Sequence, residues 1–258
     1  MEVHHHPSVE RKSFREYFSE FLMIFLAVTM GFIAENIRES LSNHSEEKEY
    51  VISLKKDLIS DTSALNDFVP FLVQRISQTD TLIKLLKMRN ATTRGSDLYY
   101  LARVSTKMRN FIPNVTTLTE LDHSGNYRLI TKNALMRGIV KFQKITDSYK
   151  SISALDQQEA QMSYPFLANL FDAEVFNTME GRSHFSIDST ATSFSNIQKP
   201  EGNPQLRNYN DDAINQFIFY LHERNGSFIL EVGILQEQKK AATELIKIIN
   251  KEYHLKDE

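Results

Sequence analysis

The chain has 258 residues, 41% of them hydrophobic and 24% charged, with a formal net charge of −3. That balance is too apolar for a wholly disordered chain, and it lacks the basic excess of a nucleic-acid-binding protein. The absence of cysteine excludes disulfides, thiolate metal sites and cysteine nucleophiles.

Residues 1–16 read as a short basic, histidine-rich tail. His4, His5 and His6 are weak candidates for a transition metal, because a histidine-rich tract can ligate one. Adjacent imidazoles without carboxylate or carbonyl partners make an exchangeable site, so no metal or other cofactor is assigned.

Phe21 to Ala34 is the only sustained apolar run, and no charge interrupts it. Its roughly 14 residues cover only ~21 Å as a helix, short of the ~30 Å hydrocarbon core. Tyr17, Phe18 and Ile37 extend it. Residues 17–37 then span ~31 Å, with Glu20 and Glu35 near the two boundaries. A cleaved signal peptide has a similar apolar length, but cleavage after Ala34 would place Phe32 where a small residue is required. A buried helix of a soluble domain would have to be apolar on every face. An uncleaved transmembrane helix accounts for the run, its aromatic flank and the basic tail together.

Arg11, Lys12 and Arg15 precede this segment, whereas Glu35, Glu39, Glu46, Glu47 and Glu49 follow it with sparser bases. Lysine and arginine excess marks the cytoplasmic side. The charges therefore predict a cytoplasmic N-terminus at the bacterial inner membrane and a periplasmic bulk, residues 38–258. Glu20, Ile24, Ala27, Gly31 and Ala34 share one helical face. Ala27 and Gly31 form a small-x-x-x-small pattern that lets membrane helices approach closely. Glu20, Ala27, Gly31 and Ala34 are thus the candidate membrane-helix interface, for a homo-oligomer or a partner membrane protein.

Beyond the anchor, Tyr50, Leu54, Leu58, Asp61, Leu65, Phe68, Leu72, Ile76, Thr79, Ile83 and Leu86 recur at spacings of three and four. They predict one long amphipathic helix, with a kink or break at Pro70. Residues 90–95 close it with turn chemistry. A shorter helix is expected over 97–109, then a capping box from Thr117 to Glu120. Asp122, His123 and Ser124 resemble a hydrolytic set, but three consecutive side chains cannot align as nucleophile, base and orienter. Ser124, Gly125 and Asn126 read instead as a turn.

A helix over about 132–162 and a short apolar helix over about 166–179 follow. Residues 181–208 form a long loop, the place to seek ligand or partner contact. The final apolar stripe, residues 211–253, matches the first long helix in length, and Asn225–Gly226 could bend it. Antiparallel packing of the two predicts an all-α protein: an N-terminal transmembrane helix continuing into an elongated antiparallel helical bundle with coiled-coil-like seams.

No phosphate loop, zinc motif or calcium loop occurs. The later histidines (His44, His123, His184, His222, His254) lack ligand spacing. The histidine tail, the stretch from Glu16 to Arg38 and the later Ser124 to Arg128 turn resemble a family of single-pass inner-membrane proteins of Gram-negative bacteria. That resemblance implies an anchor and a helical domain outside the cytoplasm, and supplies neither an activity nor site residues. The expected function is non-enzymatic: an extracytoplasmic scaffold or accessory subunit acting by protein–protein interaction, in contact with the lipid bilayer and not with nucleic acid. The alternative is a sensor-like bundle that binds a small ligand and signals through a separate partner. An enzyme would need Asp122, His123 and His184 to converge.

Overall fold

The computed structural model describes residues 13–88, 93–107, 109–179 and 197–255. The protein is all-α. Its helices are α1 (Phe14–Leu86), α2 (Gly95–Ser105), α3 (Thr116–His123), α4 (Asn133–Gln161), α5 (Ser163–Leu170), α6 (Ala173–Met179) and α7 (Asp211–Tyr253), with a 3₁₀ turn at Asn126–Leu129. The histidine tail lies outside the described residues, as do His184 and residues 181–196 of the long loop.

α1 is one continuous helix of 73 residues, ~110 Å long. Its start is fixed by Ser13, whose backbone N–H donates to the Glu16 carboxylate at 2.8 Å. Pro70 does not break it, so of the kink or break expected from the sequence the break does not occur. Proline removes a single donor, while Phe68 and Leu72 on either side are buried in the core and keep the helix continuous through the gap. α7 likewise runs unbroken through Asn225 and Gly226. There Asn225 is fastened to Asp80 of α1 at 2.7 Å.

α1 packs most extensively on α7, and α7 next on α4. Tyr253 meets Glu47 at one end and Asn225 meets Asp80 at the other, so α1 and α7 are antiparallel. α4 runs parallel to α1: Gly138 lies against Leu245 and Asp156 against Arg224. The core has three sections. Nearest the apolar segment, Val51, Leu54, Leu58, Ile139, Phe142, Leu245 and Ile249 cluster. Leu65, Phe68, Leu72, Tyr149, Phe228 and Leu235 form the middle. The far end gathers Leu82, Leu86, Leu98, Tyr99, Phe171, Phe217 and Leu221. Each such side chain contributes roughly 1.5–3 kcal/mol by leaving water.

Four further details differ from the sequence reading. α2 begins at Gly95 and ends at Ser105, not at 97 and 109. Thr117 lies inside α3, where its backbone N–H and hydroxyl both donate to Asp57 of α1. The long-range carboxylate displaces the local capping box. The apolar stretch after Met162 is two helices, because Phe171 leaves helical geometry to pack edge-on against Tyr99, whose hydroxyl accepts from the Asp172 N–H at 2.8 Å. Pro165 sits in the first turn of α5, where a missing N–H costs nothing.

Residues 197–209 form a docked strap. Gly95 N–H donates to Asn203 at 2.6 Å, Ser96 to the Pro200 carbonyl and Tyr99 to the Gln205 carbonyl. A Cβ on Gly95 would lie 1.8 Å from the Pro204 carbonyl oxygen, so only glycine permits this approach.

Candidate functional site: an apolar arm, a cleft at its foot and a polar core

α7 ends beside Glu47, so roughly 30 residues of α1, ~45 Å, project past the bundle as an arm. This arm contains the one helical segment among the described residues long and apolar enough to cross a membrane, and none of that window is buried. Phe18, Phe21, Ile24, Phe25, Met30, Phe32 and Ile37 are all more than half exposed. The structure places Ala27, Gly31 and Ala34 on this arm, exposed, with Glu20 half-buried on it. A Cβ at Gly31 would meet nothing within 4 Å, so the small-residue face is open within one chain.

Where the arm meets the bundle lies a cleft of about 490 Å³, lined by Asn36, Glu39, Ser40, Asn43, His44 and Glu47 of α1 and by Arg128, Leu129 and Thr131. The second wall exists because Gly125 takes a left-handed φ of 69° and turns the chain back. Asn126 then donates to Glu46 and to the Tyr50 hydroxyl. Glu47 anchors the other side. One of its oxygens accepts from the Tyr253 hydroxyl at 2.6 Å, the Thr131 N–H at 2.9 Å and the Thr131 hydroxyl at 3.2 Å. Burial alone would raise the Glu47 pKa, but these donors, with His44, outweigh it and hold it below the ordinary value.

Higher in the bundle, Asp61 is buried and accepts from the Asn114 N–H at 2.8 Å. Burial pushes its pKa up to about 6, and nearby Asp57 adds to the rise. In the middle section, Arg224 of α7 is 2% exposed and pairs with Asp156 of α4. Glu159 stands 3.7 Å from the same guanidinium, which also stacks on Phe228 at 4.5 Å. Burial raises the Asp156 pKa despite that cation. Glu231, about two turns further along the same face of α7, is also buried, and desolvation, reinforced by Asp156, pushes its pKa up to about 7. Tyr149 bridges this layer to the loop at Phe111, accepting from its N–H and donating to its carbonyl, both at 3.0 Å. One buried guanidinium thus serves three carboxylates.

The sequence reading missed this layer. Asp156, Arg224, Glu231 and Gln238 occupy inward positions of largely apolar stripes, and a charged or polar residue on such a stripe was the available signal. Asp122 and His123 line an open surface cleft of about 360 Å³ with Asp147 and Lys150. Ser124 is not part of that cleft, and its hydroxyl donates to the Glu120 carbonyl. No nucleophile–base pair is formed there. Among the described residues no three histidines, aspartates or glutamates gather as metal ligands.

Comparison with protein-family models, with curated proteins and with solved structures finds no match.

Proposed function

We propose that the chain is a membrane-anchored scaffold or accessory subunit, which crosses the inner membrane once and holds a rigid helical bundle in the periplasm for protein–protein contact, without catalysis. The observation that carries this reading is the continuity of α1 from the unpacked apolar arm into the bundle core. The arm's uncharged stretch, residues 21–34, apolar on all faces, has a strongly unfavourable interface with water and a favourable one with lipid. The basic residues before it and the acidic ones after it support a cytoplasmic N-terminus. The face of Glu20, Ala27, Gly31 and Ala34 is the contact for a second copy or a partner membrane helix.

The natural absence of cysteine makes the test direct. Ala27→Cys in native membranes is expected to give a disulfide-linked dimer or a partner adduct, and Gly31→Ile is expected to abolish it. A monomeric Ala27→Cys chain, purified in mild detergent with neither self-association nor a stoichiometric partner, would refute the assembly role. The sensor-like alternative draws its support from the polar layer around Arg224. It requires a small periplasmic ligand that shifts the thermal unfolding of the wild type and not of Arg224→Met.

A further inference from the structure

The anchor-proximal cleft stands at a defined height, because position along a straight helix converts to distance at 1.5 Å per residue. With residues 17–37 across the hydrocarbon, Asn36 is at its edge, and Asn43 is roughly 9 Å above Ile37. The headgroup layer of one leaflet is roughly 5–7 Å deep, which takes in Glu39 and Ser40 at ~3–4.5 Å above Ile37 and ends just below Asn43. Glu39 and Ser40 therefore lie among lipid headgroups, under the overhanging turn that carries Arg128.

That turn is fastened at both ends, by Asn126 to Glu46 and by Thr131 to Glu47, leaving the Arg128 side chain exposed over the cleft. Among the described residues neither Arg128 nor Glu39 makes an ion pair, although both line the same cleft. Neighbouring Arg38, by contrast, is taken up by Glu35 at 2.6 Å. A guanidinium and a carboxylate on opposite walls of one concavity, without an ion pair between them, complement a ligand with separated charges of the opposite order.

We infer that this cleft binds the headgroup of a zwitterionic aminophospholipid of the phosphatidylethanolamine class, its phosphate on Arg128 and its primary ammonium on Glu39. Guanidinium and phosphate pair through two parallel hydrogen bonds, and an ammonium offers three donors to the carboxylate and to Asn43. A purely anionic headgroup would meet Glu39 unpaired, and one arginine is no polybasic patch. The bilayer supplies the ligand at high effective concentration beside the site. The inference rests on the membrane-anchor reading.

The test uses the full chain in phosphatidylcholine nanodiscs containing equal minor fractions of phosphatidylethanolamine and phosphatidylglycerol. Lipids retained on release are counted by native mass spectrometry. Phosphatidylethanolamine is expected several-fold above its bulk share, and Arg128→Ala or Glu39→Gln is expected to return it to that share. Both positions are exposed, so each variant is expected to keep the wild-type melting temperature in detergent. Retention at the bulk ratio, enrichment that survives both variants, or preference for phosphatidylglycerol would each overturn the assignment. Soluble phosphoethanolamine raising the melting temperature in detergent as much as the lipid does would assign the cleft to a free phosphate ester instead. Flotation of the same sample separates the two claims. A chain that floats without enrichment overturns the headgroup site alone, whereas a chain released from lipid overturns the anchor as well.

Discussion

Glu231 has the most consequential single titration in the bundle. Its carboxyl is buried near Asp156, Tyr149 and Arg224, and its pKa rises from 4.5 to about 7. A carboxyl whose pKa is raised by folding binds more protons folded than unfolded, so its contribution to stability is lost as pH climbs from the unfolded value through the folded one. Each unit of difference corresponds to about 1.4 kcal/mol. Asp61, raised to about 6, acts in the same direction over a lower window. Glu47, lowered, acts in the opposite one and loses its contribution on acidification. Denaturant unfolding of the wild type minus Glu231→Gln is therefore expected to fall steadily between pH 5 and 8. A pH-independent difference would show that Glu231 ionises normally in the fold. Arg224→Met leaves Asp156 buried without its cation and is expected to cost about 3–5 kcal/mol. Equilibrium unfolding at pH 7 measures it, and a loss under 1 kcal/mol would mean the carboxyls are already neutral.

At the scale of elements, α1 tolerates Pro70 and α7 tolerates Gly226 and Gly233 because long-range packing fixes both helices. Local propensity should therefore still be recoverable as stability. Pro70→Ala restores a helix hydrogen bond at an exposed position and is expected to add about 1–2 kcal/mol, after allowing for the freer unfolded chain. Gly233→Ala, whose Cβ meets nothing within 4 Å, is expected to add about 0.5–1 kcal/mol. Circular-dichroism melts test both, and a lowered melting temperature for either would place an unseen contact at that position. Gly95→Ala, by contrast, must unseat the strap at Pro204 and destabilise.

These cases show what could be read in advance. The bounds of α7 were legible because Asn210 caps it, accepting from the Ala213 N–H at 3.1 Å, with Asp211 and Asp212 in the first turn. The buried stripe of α1 was legible from its spacing, Asp61 included. The unbroken course past Pro70, the division at Phe171 and the capture of Thr117 by Asp57 were not. Each is decided by a partner distant in sequence, which no local pattern encodes. The cleft at Arg128 was half-legible: the turn at Gly125 was plain, but its register against residues 36–47 required the fold.

For the whole molecule, one helix runs unbroken from the exposed apolar arm into the bundle core, and under the proposed anchoring it would transmit position from bilayer to bundle. α7 returns to Glu47 and stops, and the 3₁₀ turn closes over the same stretch, so the bundle's base is set at the foot of the arm. On the scaffold function we propose, a bundle held at that height would present the same faces to partners in the plane of the membrane. All of this depends on the arm staying in lipid with the bundle on the far side. Single-cysteine variants Ser8→Cys and Ser151→Cys, probed with a membrane-impermeant maleimide in intact spheroplasts, test that most directly. Labelling of Ser151→Cys alone, on a chain that stays in the membrane pellet after an alkaline wash, is the expected result. Labelling of Ser8→Cys before lysis, or recovery of the chain in the alkaline supernatant, would contradict it.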